Sequence, residues 1–353
     1  MTSDKKKFSL REIIVYVVSL SLSVAFLYFA FSGLDLSSVW NEIAGASVIW
    51  TIALVLFQLL SHYLRAVRWK LFLGDLNKEV SVFNLFGAVL IGYGINNVVP
   101  RLGEIARAVT ASKTENLSKT SVFGSVILER IIDLIIFIFA VMLAGWMYDG
   151  DIYDRFSWLN GALYIGTIGF FILLIGVILT IKYKEKFYDL ILKIAGKFSS
   201  KIAGKLSELF TKLISGFSGL KTPADYLMMI FWSILIMLAY AATTYSALLA
   251  LNMDKEHTVT FAMAWVLMSI GSIGNIIPTP GGIGSFHTVA KSVLMNLYNF
   301  TAIAAVSCAA FLHGVGYILH SVAAALFILY FRKKVPGLGS QNLLDITKDE
   351  KQD

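Results

Sequence analysis

Three ionisable residues, Glu129, Arg130 and Asp133, lie within an otherwise apolar run at 121–146. At about 1.5 Å per residue along a helix, Arg130 would lie roughly 15 Å into this run, near the middle of a bilayer. A charge at that depth costs at least ~2.5 kcal/mol, so such residues usually have a function. Their spacing lets all three reach one side of the helix. We expect Arg130 to bind an anion while the carboxylates hold it or carry a proton. An ion-pair cluster that only joins helices is the alternative.

A pattern of Asn, two β-branched residues and Pro occurs twice, from Asn97 to Pro100 and from Asn275 to Pro278, and each copy interrupts a hydrophobic segment. After the second copy, Pro and Gly residues allow a close approach to a ligand or serve a tight turn alone. The Lys and Ser or Thr of a phosphate-binding P-loop are missing there. The residues expected to shape the two breaks are Asn97, Pro100, Asn275, Pro278, Pro280, Gly281, Gly282 and Gly284.

Charged residues follow the first copy directly. Pro100 suits the first turn of a helix because it has no N–H to leave unpaired there. That helix would carry Arg101, Glu104 and, on another face, Arg107. A helix N-terminus with arginines nearby favours an anion such as a phosphate. The alternative is that these charges lie among the lipid headgroups and only anchor the segment.

Histidines occur after the second copy and in the last apolar run. We interpret His287 as a hydrogen-bonded helper at the start of a helix, with proton or headgroup binding as the alternative. His313 and His320 are seven residues apart, so they share one face of a helix. With Gly314 and Gly316 nearby, that face allows either close helix packing or proton coupling.

A second group of polar residues, His62, Arg65 and Arg68, ends an earlier apolar run. Long basic side chains at such places extend their charged ends to the membrane interface while their stems remain in apolar surroundings. We interpret these three residues as interfacial anchors.

The composition is that of a membrane protein. The chain of 353 residues is 57% hydrophobic and 15% charged, whereas a soluble domain carries about 25% charged residues. Several uncharged runs exceed the ~18 residues that mark a transmembrane helix. We predict an all-α, polytopic protein with eight hydrophobic segments, of which six are full spans and two are broken. The spans are 12–31, 47–64, 121–146, 161–181, 226–251 and 301–331, and the broken segments are 82–118 and 258–298.

The distribution of positive charge predicts the topology. If both broken segments return to the side from which they entered, 26 of the 30 Lys and Arg lie on the side of the N-terminus. The positive-inside rule makes that side cytoplasmic, so both termini are expected there. The broken segments are then re-entrant hairpins of opposite orientation in an inverted repeat, with halves at about 47–146 and 226–331. Eight ordinary spans are the alternative.

The remaining segments flank or divide a single transmembrane domain at 12–331. Residues 1–11 form a basic cytoplasmic N-terminus, and the apolar run after them is too long for a cleaved signal peptide. The segment 182–221 is basic and amphipathic, which indicates a helical linker between the halves or a helix on the anionic inner leaflet. We expect a disordered cytoplasmic tail at 332–353.

Patterns typical of catalytic and metal sites are missing from the sequence. It has no HExxH, no GxSxG and no paired Cys/His spacing, and its single cysteine, Cys308, excludes an intrachain disulfide. We therefore expect no catalytic residue, no metal, no cofactor and no enzymatic activity. The net charge of +7 is explained by the basic residues on the predicted cytoplasmic side of the membrane, so nucleic acid is not an expected partner.

Three motifs occur in order: N-x-V-P-R-x-G-E-x-x-R at 97–107, E-R-x-x-D at 129–133 and P-T-P-G-G-I-G at 278–284. Together they resemble the transmembrane, flippase-like region of bacterial lysylphosphatidylglycerol synthase, also called multiple peptide resistance factor, and its stand-alone relatives. The resemblance covers most of the chain, about residues 10–331.

The resemblance implies an integral protein of a bacterial cytoplasmic (inner) membrane that moves lipids with modified headgroups. The aminoacyltransferase domain of the full-length synthase is not expected in this chain. Where the family often has a Glu after the last Gly of the third motif, this chain has His287, which leaves headgroup choice and pH dependence open. The resemblance places Arg101, Glu104, Arg107, Arg130 and Asp133 in the lipid site, and the spacing above adds Glu129.

Three functions are compatible with these features. The first is lipid translocation, with membrane phospholipids as partners and their anionic headgroups at the arginines. The second is a proton- or ion-coupled carrier of a small soluble anion, which the same hairpins would serve. The third is an accessory protein or enzyme of lipid or lipid-linked sugar metabolism, with Glu104 and His287 as the candidate acid and base. A homo-oligomer and a separate lipid-modifying enzyme remain open as further partners.

Overall fold

The computed structural model describes residues 10–74, 79–100, 102–148, 219–277 and 279–334, together with 161, 164–172, 174–176, 179, 193, 199 and 204. These residues form helices and connecting turns, with no strand among them. The α-helices are α1 (Leu10–Phe31), α2 (Leu36–Ala44), α3 (Val48–Leu73), α4 (Val82–Val98), α5 (Leu102–Glu115), α6 (Lys119–Met147), α7 (Pro223–Ala250), α8 (Phe261–Gly271), α9 (Ser285–Tyr298) and α10 (Ala302–Lys334). Short 3-10 turns occupy Met253–Lys255, Ser272–Ile276 and Pro280–Gly282.

Three of the described helices, α3, α7 and α10, are long and apolar enough to cross a membrane. The apolar parts of α1 and α2 would form a fourth span if taken together, although they are bent by 87° at their junction. The all-α class is therefore confirmed, whereas the number of spans and the inverted repeat stay predictions. The predicted segment 182–221 lies almost entirely outside the described residues, as does most of the predicted tail.

Helix α1 ends at Phe31, where its predicted span ends, whereas the ends of two other helices differ from the prediction for local physical reasons. The first apolar run ends in a sharp bend, because Gly33 adopts a φ of +75° and Asp35 caps a new helix by accepting from the backbone N–H of Ser37. Helix α3 continues to Leu73, beyond the predicted end at 64, because its polar residues are buried by other helices. Helix α10 continues to Lys334, so the start of the predicted tail is helical.

Helices α4 and α5 form a hairpin, called here the first hairpin. Their backbones cross closely where Gly92 meets Gly103, since a Cβ on Gly103 would overlap the carbonyl oxygen of Gly92. At the open end, Glu115 accepts from the backbone N–H of Ser81 at 2.9 Å and from Asn84 Nδ2 at 2.7 Å. The first broken segment therefore folds back on itself and is tied at both ends.

Helices α8 and α9 form the second hairpin, with the Pro- and Gly-rich turn between them. Gly274 lies so close to the backbone of Ser285 that no side chain would fit there. Helix α9 is tied to the end of α1, because Thr288 Oγ1 donates to the carbonyl of Phe26 at 3.1 Å and Lys291 Nζ donates to that of Ala30 at 2.7 Å.

Two apolar cores lie toward opposite ends of α3 and α6. One joins α8, α9 and the adjoining parts of α7 and α10, and it includes Leu54 of α3 and Ala144 of α6. The other joins α4 and α5 to Trp69 of α3 and Val126 of α6. Helix α10 packs along α4, where Gly94 leaves room for Ala324. The charged residues of the next section lie on the same stretches of α3 and α6 as the core around Trp69 and Val126.

Candidate functional site

Glu129 lies at the centre of a buried group of charges. Its Oε1 accepts from Arg65 Nη1 at 2.5 Å and from Arg68 Nη2 at 3.4 Å, and its Oε2 accepts from Arg107 Nη2. The Glu129 side chain has no exposed surface. The arginines come from α3 and α5, so this carboxylate joins both helices to α6.

Asp133 lies one turn further along α6. Its Oδ2 accepts from Arg65 Nη1 at 2.6 Å, and its Oδ1 accepts from Arg68 Nη2 at 2.5 Å. Arg130 lies at the edge, with Nη2 3.4 Å from Asp133 Oδ2 and 3.5 Å from Glu129 Oε1. We call Arg65, Arg68, Arg107, Glu129, Arg130 and Asp133 the ionic cluster.

Neutral groups fix the orientation of three arginines. Arg68 Nη1 donates to Ser233 Oγ at 2.8 Å, and Arg65 Nη2 donates to Tyr240 Oη at 3.0 Å, which brings α7 into the site. The guanidinium carbon of Arg107 lies 4.5 Å from the ring centroid of Trp69, a cation–π contact. The cluster therefore has rigid support from α3, α5, α6 and α7.

Positive charge exceeds negative charge in the ionic cluster. Four guanidinium groups face two carboxylates within the described residues, and a guanidinium stays protonated in proteins. The Nε atoms of all four arginines are buried without a hydrogen-bond partner in that part of the chain. The Arg130 side chain is 40% exposed, whereas that of Arg65 is 5% exposed. Such a site fits an anion with several acceptor oxygens, such as a phosphate.

The prediction that His62, Arg65 and Arg68 are interfacial anchors is wrong. All three are buried, because α3 continues past them and its face packs against the carboxylates of α6. A sequence signal for this arrangement exists. The run 121–146 contains two carboxylates and one arginine, and buried carboxylates need further cationic partners.

The first hairpin brings one of its predicted charges to the ionic cluster. Arg107 reaches Glu129 from α5, whereas Glu104 accepts from Asn96 Nδ2 at 3.4 Å instead. Asn96 Oδ1 also accepts from the backbone N–H of Gly103 at 2.7 Å, so this residue satisfies a backbone group freed at the break. Helix α5 begins at Leu102 rather than at Pro100, and Arg101 lies outside the described residues.

The turn regions of the two hairpins meet beside α10. A Cβ added to Gly281 would lie 3.5 Å from Asn97 Cα, in ordinary contact. Asn97 Nδ2 donates to the carbonyl of Tyr317 at 3.0 Å and to Ser321 Oγ at 3.0 Å, which fixes the first turn on α10. The breaks of the two repeated motifs are therefore neighbours in space.

The second hairpin presents backbone rather than charge. Gly281, Gly282 and Gly284 all adopt positive φ values, and a side chain at Gly284 would meet the α1 backbone at Ser23. His287 accepts through Nδ1 from the backbone N–H of Gly284 at 3.2 Å, the helper role that we expected. Asn275 is exposed and Pro280 is buried beside the turn, whereas Pro278 lies outside the described residues.

Glu104 and His287 have different partners, so the candidate acid–base pair is not brought into hydrogen-bond contact in the described structure. Glu104 bonds to Asn96, while the His287 ring faces His313, with ring centroids 4.8 Å apart. His320 lies further along α10 and faces His62 of α3, with Nε2 atoms 2.8 Å apart.

Three relatives match parts of the chain. A UPF0104 membrane protein of Methanocaldococcus jannaschii is 30% identical over 132 residues, which cover 36% of this chain and 38% of that protein. A UPF0104 membrane protein of Pyrococcus horikoshii is 32% identical over 114 residues, which cover 31% and 34%. Glycosyltransferase AglD of Haloferax volcanii is 24% identical over 329 residues, which cover 86% of this chain and 52% of AglD. The chain thus spans about a third to a half of these relatives, and no solved structure matches it.

The match to AglD corrects one expectation. The absence of catalytic motifs led us to expect no enzymatic activity, yet a relative that aligns with most of this chain is named a glycosyltransferase. That inference was wrong because it assumed that enzymes of this kind carry one of a few short motifs.

The family described as the lysylphosphatidylglycerol synthase TM region matches residues 16–324. The match includes both hairpins and every residue of the ionic cluster, and it agrees with the resemblance seen in the three motifs. The chain is therefore an integral membrane protein that belongs to the lysylphosphatidylglycerol synthase transmembrane-region family.

Proposed function

We propose that this protein binds the anionic headgroup of a membrane lipid at the ionic cluster and moves that lipid between the leaflets. The observation that carries the proposal is the surplus of buried guanidinium charge, which reaches the surface at Arg130. A phosphate would supply the missing negative charge, and its oxygens would accept from arginine N–H groups. Membership of a membrane-protein family supports a substrate drawn from the bilayer.

The surroundings of Arg130 favour a lipid over a small soluble anion. Leu134 follows Arg130 by four residues, on the same side of α6, and is 44% exposed. Phe139, further along α6, is 55% exposed. A cation beside an exposed apolar surface suits a molecule whose headgroup is charged and whose chains stay in hydrocarbon. A carrier of a soluble anion would instead need a cavity closed to lipid.

The hairpins would supply the moving parts. We propose that both are re-entrant and form the two halves of an inverted repeat, with the protein in the cytoplasmic membrane and both termini cytoplasmic. Broken backbone at membrane depth is tolerated where it is covered by protein or lines a polar cavity. Contact between the two breaks, at Asn97 and Gly281, fits that condition and gives a place where both halves can act on one lipid.

Exchange of fluorescent phospholipids in liposomes tests the proposal. Purified protein is reconstituted with labelled lipids of differing headgroup, and dithionite quenching reports the outer leaflet. We expect exchange of anionic lipids by the unchanged protein and its loss in Arg130→Ala. Arg332→Ala is the matched control, because Arg332 is exposed at the end of α10, and it should exchange normally.

The outcomes separate the candidates. Normal exchange by a folded Arg130→Ala variant would contradict the site. No exchange of any lipid, with or without a proton gradient, would contradict lipid translocation and favour the soluble-anion carrier.

A second candidate is a step in the chemistry of lipid-linked sugars, which the match to AglD favours. The same cluster would then hold the phosphate of a lipid-linked sugar while its glycosyl bond is made or broken. The test incubates the purified chain with a lipid phosphate and an activated sugar and looks for a glycosylated lipid by mass spectrometry. A product that disappears in Arg130→Ala but remains in Arg332→Ala would support this candidate over simple translocation.

A further inference from the structure

A pair of histidines lies between α3 and α10, outside the ionic cluster. His62 Nε2 and His320 Nε2 are 2.8 Å apart, which is a hydrogen bond between two imidazoles. Tyr93 of α4 packs on both rings, with centroids 4.4 Å from His62 and 4.9 Å from His320. Gln58 Nε2 lies 3.4 Å from His320 Nε2. We call His62 and His320 the histidine pair.

The histidine pair has room for one more proton. A bond between two Nε2 atoms needs one proton, so one imidazole donates and the other accepts. If His62 is the donor, its Nδ1 is unprotonated, and this atom is buried without a hydrogen-bond partner in the described structure. Gln58 Oε1 is another buried acceptor that lacks a partner there. A second proton on the pair would therefore break no existing hydrogen bond.

Tyrosines connect the histidine pair to the ionic cluster. Tyr93 Oη lies 3.5 Å from Tyr240 Oη, and Tyr240 Oη accepts from Arg65 Nη2 at 3.0 Å. Arg65 also follows His62 by one turn of α3. Among the described residues, the titratable or charged groups nearest the pair are Arg65 from α3, Tyr93 from α4 and His313 along α10. Tyr240 of α7 lies beyond Tyr93. Carboxylates lie beyond Arg65, at Glu129 and Asp133.

We propose that the histidine pair is the proton site of this protein and that it couples lipid movement to a proton gradient. This inference rests on the proposed function and adds its energy source. Without a ligand, the surplus positive charge of the ionic cluster disfavours another positive charge on the pair. A bound phosphate cancels part of that surplus and so favours protonation. Because coupling between two sites is reciprocal, a proton on the pair strengthens lipid binding by the same factor.

A further histidine on α10, His313, lies between the histidine pair and the second hairpin. His313 lies two turns before His320, and its ring faces that of His287 in α9. The second hairpin thus places a titratable group on the way to the pair, while the first hairpin places Arg107 in the ionic cluster. The second hairpin would then contribute to the path of the proton, and the first hairpin to the binding of the lipid. The histidine pair between α3 and α10 lies where the two paths come together.

The test measures phosphatidylglycerol binding to the purified chain in nanodiscs of neutral lipid, between about pH 4 and pH 8. This range extends below that of a free histidine, because His62 is buried and burial disfavours a charged imidazole. Phosphatidylglycerol is suitable because its phosphodiester has no second proton to titrate. We expect the affinity of the unchanged protein to rise on the order of tenfold as the pH falls, within the range of coupled sites. His320→Gln should bind with an affinity that is nearly independent of pH. His257→Gln is the matched control, since His257 lies at an exposed position away from both clusters, and it should behave as the unchanged protein does.

Proton uptake gives a second readout that needs no variant. In weakly buffered solution, addition of phosphatidylglycerol should raise the pH of the medium, because the pair takes up protons as the lipid binds. Binding with no pH dependence and no proton uptake would overturn the inference and leave the proposed function standing. No binding at any pH would contradict the proposed function itself.

Discussion

The two hairpins share a four-residue pattern at their turns, but the residues around the turn differ in chemistry. In the first, Asn97 is buried and bonded to α10, and the following helix carries Arg107 into the ionic cluster. In the second, Asn275 is exposed, and the segment 272–290 contains no Asp, Glu, Lys or Arg. Its contacts with neighbouring helices include glycine backbone, the ring of His287 and the hydroxyl of Thr288. A repeated motif therefore indicates a repeated bend in the chain, whereas the side chains after the bend decide which ligand each half can bind.

The two hairpins also depend on the rest of the fold in different ways. The first is held by charge, since Glu129 of α6 binds Arg107 together with two arginines of α3. The second is held by close packing and by hydrogen bonds to backbone. Gly284 fits against the α1 backbone, and Thr288 and Lys291 donate to carbonyls at the end of α1. Removing a charge that holds the first hairpin, or adding a side chain at the turn of the second, should distinguish these two kinds of support.

The largest effect on stability is expected when Glu129 is replaced. Glu129→Leu leaves Arg107 without its carboxylate and removes one partner from Arg65, and breaking a buried ion pair costs about 3–5 kcal/mol. The free energy of unfolding of the chain in mixed micelles, from a detergent titration, measures the loss.

Glu104→Leu is the matched control for this variant. Glu104 lies in the same hairpin but bonds only weakly to Asn96, with nitrogen–oxygen distances of 3.4 and 3.5 Å. A loss as large for Glu104 as for Glu129 would mean that the ionic cluster is not what holds the first hairpin.

The next effect is expected at Gly284 in the second hairpin. Its φ of +88° lies where a residue with a side chain is strained, at a cost of about 1–3 kcal/mol. The added methyl of Gly284→Ala would also press on Ser23 and Phe26 of α1. We expect a lower free energy of unfolding in the same titration.

Gly314→Ala serves as the control, since a Cβ there would have nothing within 4 Å and a helix is stabilised by up to about 1 kcal/mol when Gly becomes Ala. If both variants behaved alike, the close fit of the second hairpin against α1 would be in doubt.

The sequence predicted the parts of the fold that local pattern determines. Apolar runs located the long helices, and the repeated motif located both breaks. Four of the six residues of the ionic cluster, among them Arg107, were named from the sequence. Glu129, Arg130 and Asp133 stand out within 121–146, but Arg65 and Arg68 lie at the end of an apolar run, where an exposed position is equally compatible with the pattern. Only the packing of α3 against α6 shows that they are buried.

The role of His62 could not be predicted for the same reason. Its partner His320 is distant in sequence and lies on another helix. The pairing of side chains across helices is a property of the assembled fold. The sequence indicated which helices carry charged or titratable residues, but it did not indicate which of these residues contact each other.

A smaller effect should distinguish the two copies of the motif directly. Asn97→Ala removes two hydrogen bonds to α10 and leaves the carbonyl of Tyr317 without that donor, a loss of about 1–3 kcal/mol. Asn275→Ala changes an exposed residue and should alter stability by less than about 0.5 kcal/mol. The comparison uses the same substitution at equivalent motif positions, so equal losses would contradict the difference in burial between the two copies.

A small effect on stability is also expected at Arg130, where we expect the largest effect on function. Arg65, Arg68 and Arg107 continue to neutralise Glu129 and Asp133 when Arg130 is removed. Because Arg130 is partly exposed and its ion pairs are long, Arg130→Gln should cost less than about 1 kcal/mol. Arg107→Gln, a buried change in the same cluster, should cost several times more. A cluster that only joined helices would lose stability and activity together in both variants, whereas a binding site loses lipid exchange in Arg130→Gln while its free energy of unfolding stays near that of the unchanged protein.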